Sequence, residues 1–380
     1  MKKALLLSFI CVVLLALGGC SSSSTPTTSA SFLYAGNSTS PGSVAAFTDT
    51  SGALTHIGGS PFPTLGNPPL TLAAVSTKFL YGGVPAVNGE LGGIILLPIQ
   101  TDGVLGAAQL FASGNSFDGI AVTPDGKFLY AANVASSHVL AFSINSTSGV
   151  LTAVGPPAGV SVGADPFNLA VDPQGKYVFV AGCSCAARTP AAAGNISVFA
   201  IQGDGTLQAV NGSPFALPGP AVAHPMDLVV SPDGTLLFVA SLADSSSEND
   251  QVFSETIASD GTLSSAGTPA ALPIVGSFPS SIAVSNDGKF VYTGDTGTGS
   301  VSQFDVGAGG VLTHHSDFTM PTAGAPGKLL AHPSAGFLYA TDFDHGTVVI
   351  FSIASNGTLT QSGSPVNTSG LNPFGLAFAH

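Results

Sequence analysis

TPDGKFLYAANVASSHVLAF, residues 123–142, reads as two strands and two turns. The stretch is not unique. Variants begin as SFLYAGN at Ser31, STKFLYGG at Ser76, PQGKYVFVAG at Pro173, PDGTLLFVAS at Pro232, NDGKFVYTGD at Asn286 and SAGFLYATD at Ser334. The residue that opens each copy is Phe32, Phe79, Phe128, Tyr177, Leu236, Phe290 or Phe337, so a period of roughly fifty residues runs through the chain. One repeat array therefore replaces the two or three domains that 380 residues would otherwise suggest.

Each copy alternates apolar and polar residues in short runs rich in Val, Phe, Tyr, Leu and Ile, bounded by Gly, Pro, Asn and Asp. Four strands follow in each copy: a Pro-led run such as NLAVDP, the FLYAAN run, the HVLAF run and a weaker LTAVG run. Pro-Asp-Gly at 124–126 and 232–234 supplies a fixed φ and a positive φ for a tight hairpin between the first two strands. Asp-Gly-Thr-Leu at 204 and 260, and Asn-Gly-Thr-Leu at 356, mark the hairpin between the third and fourth. Four antiparallel strands repeated radially make an all-β, seven-bladed β-propeller. The chain enters at Phe32 in a second strand and finishes, through Asn372-Pro373-Phe374-Gly375, in a Pro-led first strand. Pairing that C-terminal strand with the N-terminal blade closes the ring and removes its exposed edges.

The first twenty residues are separate. Lys2 and Lys3, an apolar run from Ala4 to Leu17 and the ending Leu17-Gly18-Gly19-Cys20 form a secretory signal too short for the roughly 20 residues of a membrane span. That ending resembles a bacterial lipobox, which makes Cys20 the lipid-bearing residue, residues 21–31 a Ser/Thr-rich tether and residues 32–380 the propeller. The protein is then an exported lipoprotein of the cell envelope, touching membrane only through its anchor, and a monomer. Formal charge is −13, and removal of Lys2 and Lys3 leaves six basic against 21 acidic residues, a balance of −15. Such a surface argues against nucleic acid as a partner and leaves a small molecule or an envelope protein. Of the two cysteines in the body, Cys183 and Cys185, an oxidising compartment suggests a disulfide, with a redox or soft-metal role as the other reading.

The repeats PDGKFLYAAN, SPDGTLLFVAS and NDGKFVYTGD, followed by GTLT and GSP, resemble the seven-bladed β-propeller lactonase family related to bacterial 6-phosphogluconolactonase, and more loosely the YVTN-type surface repeats. The resemblance covers about residues 31–380. It implies lactone-opening chemistry without a cofactor, built from histidine, arginine and a carboxylate around one mouth of the channel. The family's His-Pro-His run stands here as His224-Pro225-Met226, and the residues after Asn133, Asp295 and Asp342 are Val134, Thr296 and Phe343 in place of the family's arginine.

Strand alternation puts the Pro-Asp-Gly and Asp-Gly-Thr-Leu turns on one face and the irregular loops, including residues 183–195, 215–224 and 242–251, on the other. Aligning the inner strands on their prolines brings the pairs Pro69/Leu70, Asp118/Gly119, Phe167/Asn168, Met226/Asp227, Ser280/Ser281, Gly327/Lys328 and Phe374/Gly375 to the channel mouth. Asn168, Asp227, Ser281 and Lys328 form its polar set, with Asp165 and His224 just above and Arg188 in the cysteine loop. An enzyme would use Asp227 or His224 as general base and Lys328 to stabilise an oxyanion, with Asp165, Asn168, Ser281 and Arg188 as ligand contacts. An Asp227–Lys328 ion pair that merely fills the channel is the other reading. No metal is expected: the loop opening at Asp342-Phe343-Asp344 imitates a calcium loop but has Ile353 where the glutamate belongs. Lys78, Lys127, Lys176 and Lys289 sit on the opposite face, which leaves few cations for a phosphate. The sequence therefore favours an exported binding module with a degenerate site, and a hydrolase for a neutral or weakly charged lactone is the alternative. The lipobox reading has a direct test: metabolic labelling with palmitate should vanish in Cys20→Ala, and persistent labelling would refute it.

Overall fold

The computed structural model describes residues 31–66, 68–86, 92–156, 159–162, 165–183, 193–218, 223–243 and 248–380. Cys20, Cys185 and Arg188, and with them the lipobox and most of the cysteine loop, lie outside the described residues. Seven antiparallel sheets are arranged as blades, which we number by their second strands: Ser31–Asn37, Phe79–Val84, Phe128–Asn133, Tyr177–Gly182, Leu236–Ala243, Phe290–Asp295 and Phe337–Asp342. The C-terminal strand Pro373–Ala379 pairs antiparallel with Ser31–Asn37, so the innermost strand of blade 1 comes from the far end of the chain. The ring is closed as the sequence implies. The first strand begins at Ser31, one residue inside the segment assigned to the tether.

Blades 2 and 6 have the four expected strands, whereas the other five carry a further two-residue strand paired to the third, as Val160–Ser161 does with His138–Ile144 in blade 3. The outermost strand is thus broken rather than continuous. In blades 1 and 4 the break falls at the Gly-Ser-Pro turns, whose Ser60-Pro61 and Ser213-Pro214 bonds are cis.

No single core lies at the centre. Seven apolar clusters occupy the seven seams, because successive residues of each second strand face opposite neighbours. Phe32 and Tyr34 pack toward blade 2, while Leu33 and Ala35 pack toward blade 7. The aromatic repeat is explained by one contact made seven times. The opening side chain of each run lies against a positive-φ glycine in the outer hairpin of the next blade: Phe32 on Gly103, Phe79 on Gly149, Phe128 on Gly205, Tyr177 on Gly261, Leu236 on Gly310, Phe290 on Gly357 and Phe337 on Gly52. A Cβ on any of these glycines would lie within 2.7 Å of that side chain. Glycine is required there twice over, for backbone conformation and for space.

Two residues further along, a buried tyrosine completes the contact. Tyr34, Tyr81, Tyr130 and Tyr292 donate their hydroxyls to the carbonyls of Gly103, Gly149, Gly205 and Gly357 at 2.9, 2.6, 3.0 and 2.7 Å. At the closing seam Tyr339 donates instead to Asp49 Oδ2 at 2.8 Å, and Asp49 Oδ1 accepts the Gly52 amide. Burial holds each of these phenols above its usual pKa, so all remain donors. Blades 4 and 5 have Phe179 and Phe238 at this position, and blade 4 uses the Tyr177 hydroxyl on Ser259 instead. Tyr130→Phe should cost about 1–2 kcal/mol by orphaning a buried carbonyl, and Gly205→Ala more, since strain and overlap add. Urea denaturation of the two variants checks both the sign and the order.

Candidate active site

The innermost strands line the channel, and six of the seven are interrupted by a β-bulge at one height. In blade 3, Phe117 pairs with Asn133 and Gly119 with Ala132, so Asp118 has no partner in the ladder. A bulge leaves one residue unpaired and re-aims it. The equivalent residues are Phe374, Phe167, Met226 and Ser280, and blade 7 leaves two out of the ladder, Gly327 and Lys328. In blade 2 the pairing of Thr71 with Gly83 sets the register, so Leu70/Thr71 is its pair rather than Pro69/Leu70. The Pro68-Pro69 dipeptide offers two alignments, and the sheet takes the second.

The bulge divides each pair into two jobs. The second residue joins blades. Asn168 Nδ2 donates to Asp227 Oδ1 at 2.6 Å, Ile282 N–H donates to Asp227 Oδ2 at 3.0 Å, and Leu329 N–H donates to Ser281 Oγ at 2.9 Å. Where the second residue is Gly119, the neighbouring backbone comes closer still, and an added Cβ would stand 2.7 Å from Asn168 Cα. The first residue faces the lumen. A cavity of about 50 Å3 is lined there by Asp118, Phe167, Met226, Ser280 and Phe374, together with Leu70, Asn168 and Lys328.

Among the sequence-selected residues, the structure brings Asn168, Asp227 and Lys328 together. Lys328 Nζ reaches across blade 6 to Asp227 Oδ2 at 2.6 Å, its side chain 25% exposed against 2% for Asp227. Asp227 also accepts its neighbour's amide, Leu228 N–H, at 3.0 Å. Both of its oxygens are therefore committed to the frame, which suits a carboxylate that positions Lys328. Ser281 is fully buried and turned to blade 7; Ser280 lines the cavity in its place. His224 is buried, and its Nδ1–H donates to the Cys183 carbonyl at 2.8 Å, away from the cavity lining. Asp165 accepts from Ser137 Oγ at 3.4 Å, and its carbonyl accepts the Cys183 amide. Cys183 is disulfide-bonded, with Sγ 3.5 Å from Met226 Sδ.

In the sequence Asp118 does not stand out, because the polar set of Asn168, Asp227, Ser281 and Lys328 takes the second residue of each pair. The signal that finds it is the bulge, which exchanges the roles of two adjacent residues. Burial alone pushes its pKa up to about 6. On the other face Lys127 and Lys289 pair with Asp125 and Asp287 of their own turns at 2.8 Å. The calcium-like loop is likewise spent on structure: the buried Asp342 carboxylate accepts from Thr322 Oγ1 and from the amides of Asp344 and His345. Among the described residues, Lys328 is the one cation that lines the cavity.

The family model for "Lactonase, 7-bladed beta-propeller" matches residues 78–245 and 247–372. The chain belongs to that family. A 6-phosphogluconolactonase of Enterobacter sp. (strain 638) is 22% identical over 267 residues, covering 69% of this chain and 74% of that protein. A shorter match, 41% identical over 64 residues, spans 16% of this chain and 18% of a 6-phosphogluconolactonase of Formosa agariphila. The fold is shared with a putative 6-phosphogluconolactonase of Bacteroides fragilis, with TM-score 0.70 and 19% identity over 94% of this chain and 99% of that one. It is shared equally with the Pseudomonas aeruginosa periplasmic gluconolactonase PpgL, with TM-score 0.67 and 18% identity over 93% and 99%. Within this family scaffold Asp227 is a structural hub, so Asp227→Ala should destabilise the fold by about 3–5 kcal/mol, leaving Lys328, Asn168 and Ile282 N–H without their acceptor. Chemical denaturation should show a smaller loss for Asp227→Asn, which keeps one acceptor oxygen.

Proposed function

We propose that the protein is a lactone hydrolase whose substrate is neutral or weakly charged. The observation that carries the reading is Lys328, among the described residues the one cation at a small cavity of mixed polar and apolar lining, fixed there by Asp227. Relatives named 6-phosphogluconolactonase and gluconolactonase support lactone opening over a binding-only module, which was the first reading of the sequence. An ester carbonyl set over Lys328 gains a hydrogen-bond donor for the oxyanion that forms on attack. Nζ has three hydrogens and Asp227 occupies one, so donors remain for that task. Phe167, Phe374 and Leu70 supply apolar surface on which a ring can lie.

The cavity itself, about 50 Å3, has room for a few water molecules and not for a sugar ring. The lactone would therefore sit above it, on the loop face, with the attacking water below. A phosphorylated substrate asks for a clamp of two or more cations around the dianion. Among the described residues Lys328 is the one cation at the cavity, and it is already shared with a carboxylate, which favours an uncharged ring. Export as a Cys20 lipoprotein, which we propose on the signal sequence, would place the enzyme among extracytoplasmic sugar and aliphatic lactones.

Turnover of δ-gluconolactone and of a simple aliphatic lactone by the purified protein is the test. We expect hydrolysis of these in preference to the 6-phospho lactone, and a fall in kcat/KM of about 10²–10³-fold in Lys328→Gln, which keeps a donor to Asp227 but loses the charge. Absence of turnover across sugar and aliphatic lactones would sink the enzyme and return the propeller to a binding role.

A further inference from the structure

We infer that Asp118 is the general base of this site, the carboxylate that takes a proton from the water attacking the lactone carbonyl. The inference rests on the lactonase reading above and adds the residue that the sequence passed over.

The argument begins with position. Six inner strands carry a bulge at this height, and in five of them the residues left out of the ladder are Phe374, Phe167, Met226, Ser280 and, together, Gly327 and Lys328. Asp118 is left out in the sixth, and it is the one carboxylate among them. An apolar or small residue fits every other blade at this height. A carboxylate facing phenyl rings and a thioether is costly unless something bonds it. Asp118 is half-buried, no residue among those described bonds its carboxylate, and burial pushes its pKa up to about 6.

Contrast with the other carboxylates sharpens the assignment. Asp227, one blade-pair away, has both oxygens bonded and is spent on the frame. Glu255 and Asp295 are also buried, with pKa values raised to about 7 and about 8, but neither lines the cavity. Among the described residues Asp118 alone combines an unbonded carboxylate with access to the lumen. Lys328 and, behind it, Asp227 are the remaining charged groups there among the described residues. Lys328 Nζ is held at Asp227 of blade 5, and Asp118 of blade 3 lines the same cavity. Base and oxyanion donor thus border one space, in which a carbonyl and its attacking water can meet both.

The chemistry balances without a co-reactant. Asp118 accepts a proton from water as the water oxygen bonds to the carbonyl carbon, and Lys328 stabilises the oxyanion. Collapse breaks the ring C–O bond, and the proton on Asp118 passes to the departing alkoxide to give the hydroxy acid. A base with a pKa near 6 is ionised at neutral pH yet basic enough to assist. Since the carboxylate must be ionised to act, kcat/KM should fall as pH drops through about 6.

The test uses the full protein with δ-gluconolactone, a pH profile and thermal denaturation of wild type, Asp118→Asn and Asp118→Ser. The expected result is a loss of about 10²–10⁴-fold in kcat/KM and disappearance of the acid limb, with a Tm at pH 8 equal to or above that of wild type. A residue kept for structure would show the reverse, a lower Tm with the limb retained. If both variants keep wild-type kcat/KM and its limb, Asp118 is not the base, and the lactonase reading stands without it. If wild type opens no lactone, the lactonase reading fails and this inference falls with it.

Discussion

Everything in this ring depends on an apolar side chain resting on a glycine of the next blade. The contact is small, but it is the one interaction repeated at all seven seams, and it fixes the distance between neighbouring sheets. Because the seams hold the whole apolar core, no blade has a core of its own. Stability is therefore shared around a circle, and the circle must close. At the closing seam the chain spends more than elsewhere: Phe337 on Gly52, Tyr339 and His332 on Asp49, and Phe378 against both rings. Pro373–Ala379 then ties the last residues to the first strand through a full antiparallel ladder.

The same geometry dictates where polar groups can stand. Converging inner strands leave little room at the axis, and second-position side chains there either bridge to the next blade or give way to glycine, as at Gly119 and Gly375. The bulge relieves that crowding by turning one residue per blade into the lumen. It also creates a place in each of those blades where a functional group meets the channel without breaking a bridge. Lys328 is the exception, because blade 7 leaves both Gly327 and Lys328 out of the ladder and the Lys328 amide donates to Thr341 Oγ1 instead. With no side chain at 327 to occupy the lumen, Lys328 has the space to extend to Asp227.

These two constraints explain what the sequence reveals. The scaffold is legible because the seam contact demands the same residues each time: an apolar opener, an aromatic two places on and a turn glycine. Even so, only three of the turns are conspicuous as Asn/Asp-Gly-Thr-Leu; Gly52, Gly103, Gly149 and Gly310 do the same work in weaker sequence contexts. The broken outer strands are hidden because a two-residue strand after Gly-Ser-Pro carries no periodicity to read. The site is harder. Asn168, Asp227 and Lys328 are found because their residue types are conspicuous at aligned positions, but alignment cannot say which of two adjacent residues faces the axis. His224 has the family's residue type and a different neighbour, the Cys183 carbonyl.

Asp118 and Asp227 show how one repeat separates structure from chemistry. Both are aspartates on inner strands at the same height, one residue apart in register. Asp227 meets four donors, so its charge is neutralised by geometry and its removal damages the frame. Asp118 meets none among the described residues, so its charge raises the energy of the folded state and is available to a ligand or to water. A propeller stabilised at seven seams tolerates one such residue because the cost falls at the axis, away from the contacts that hold the blades. The repeat supplies the redundancy, and the bulge supplies the position at which the chain departs from it.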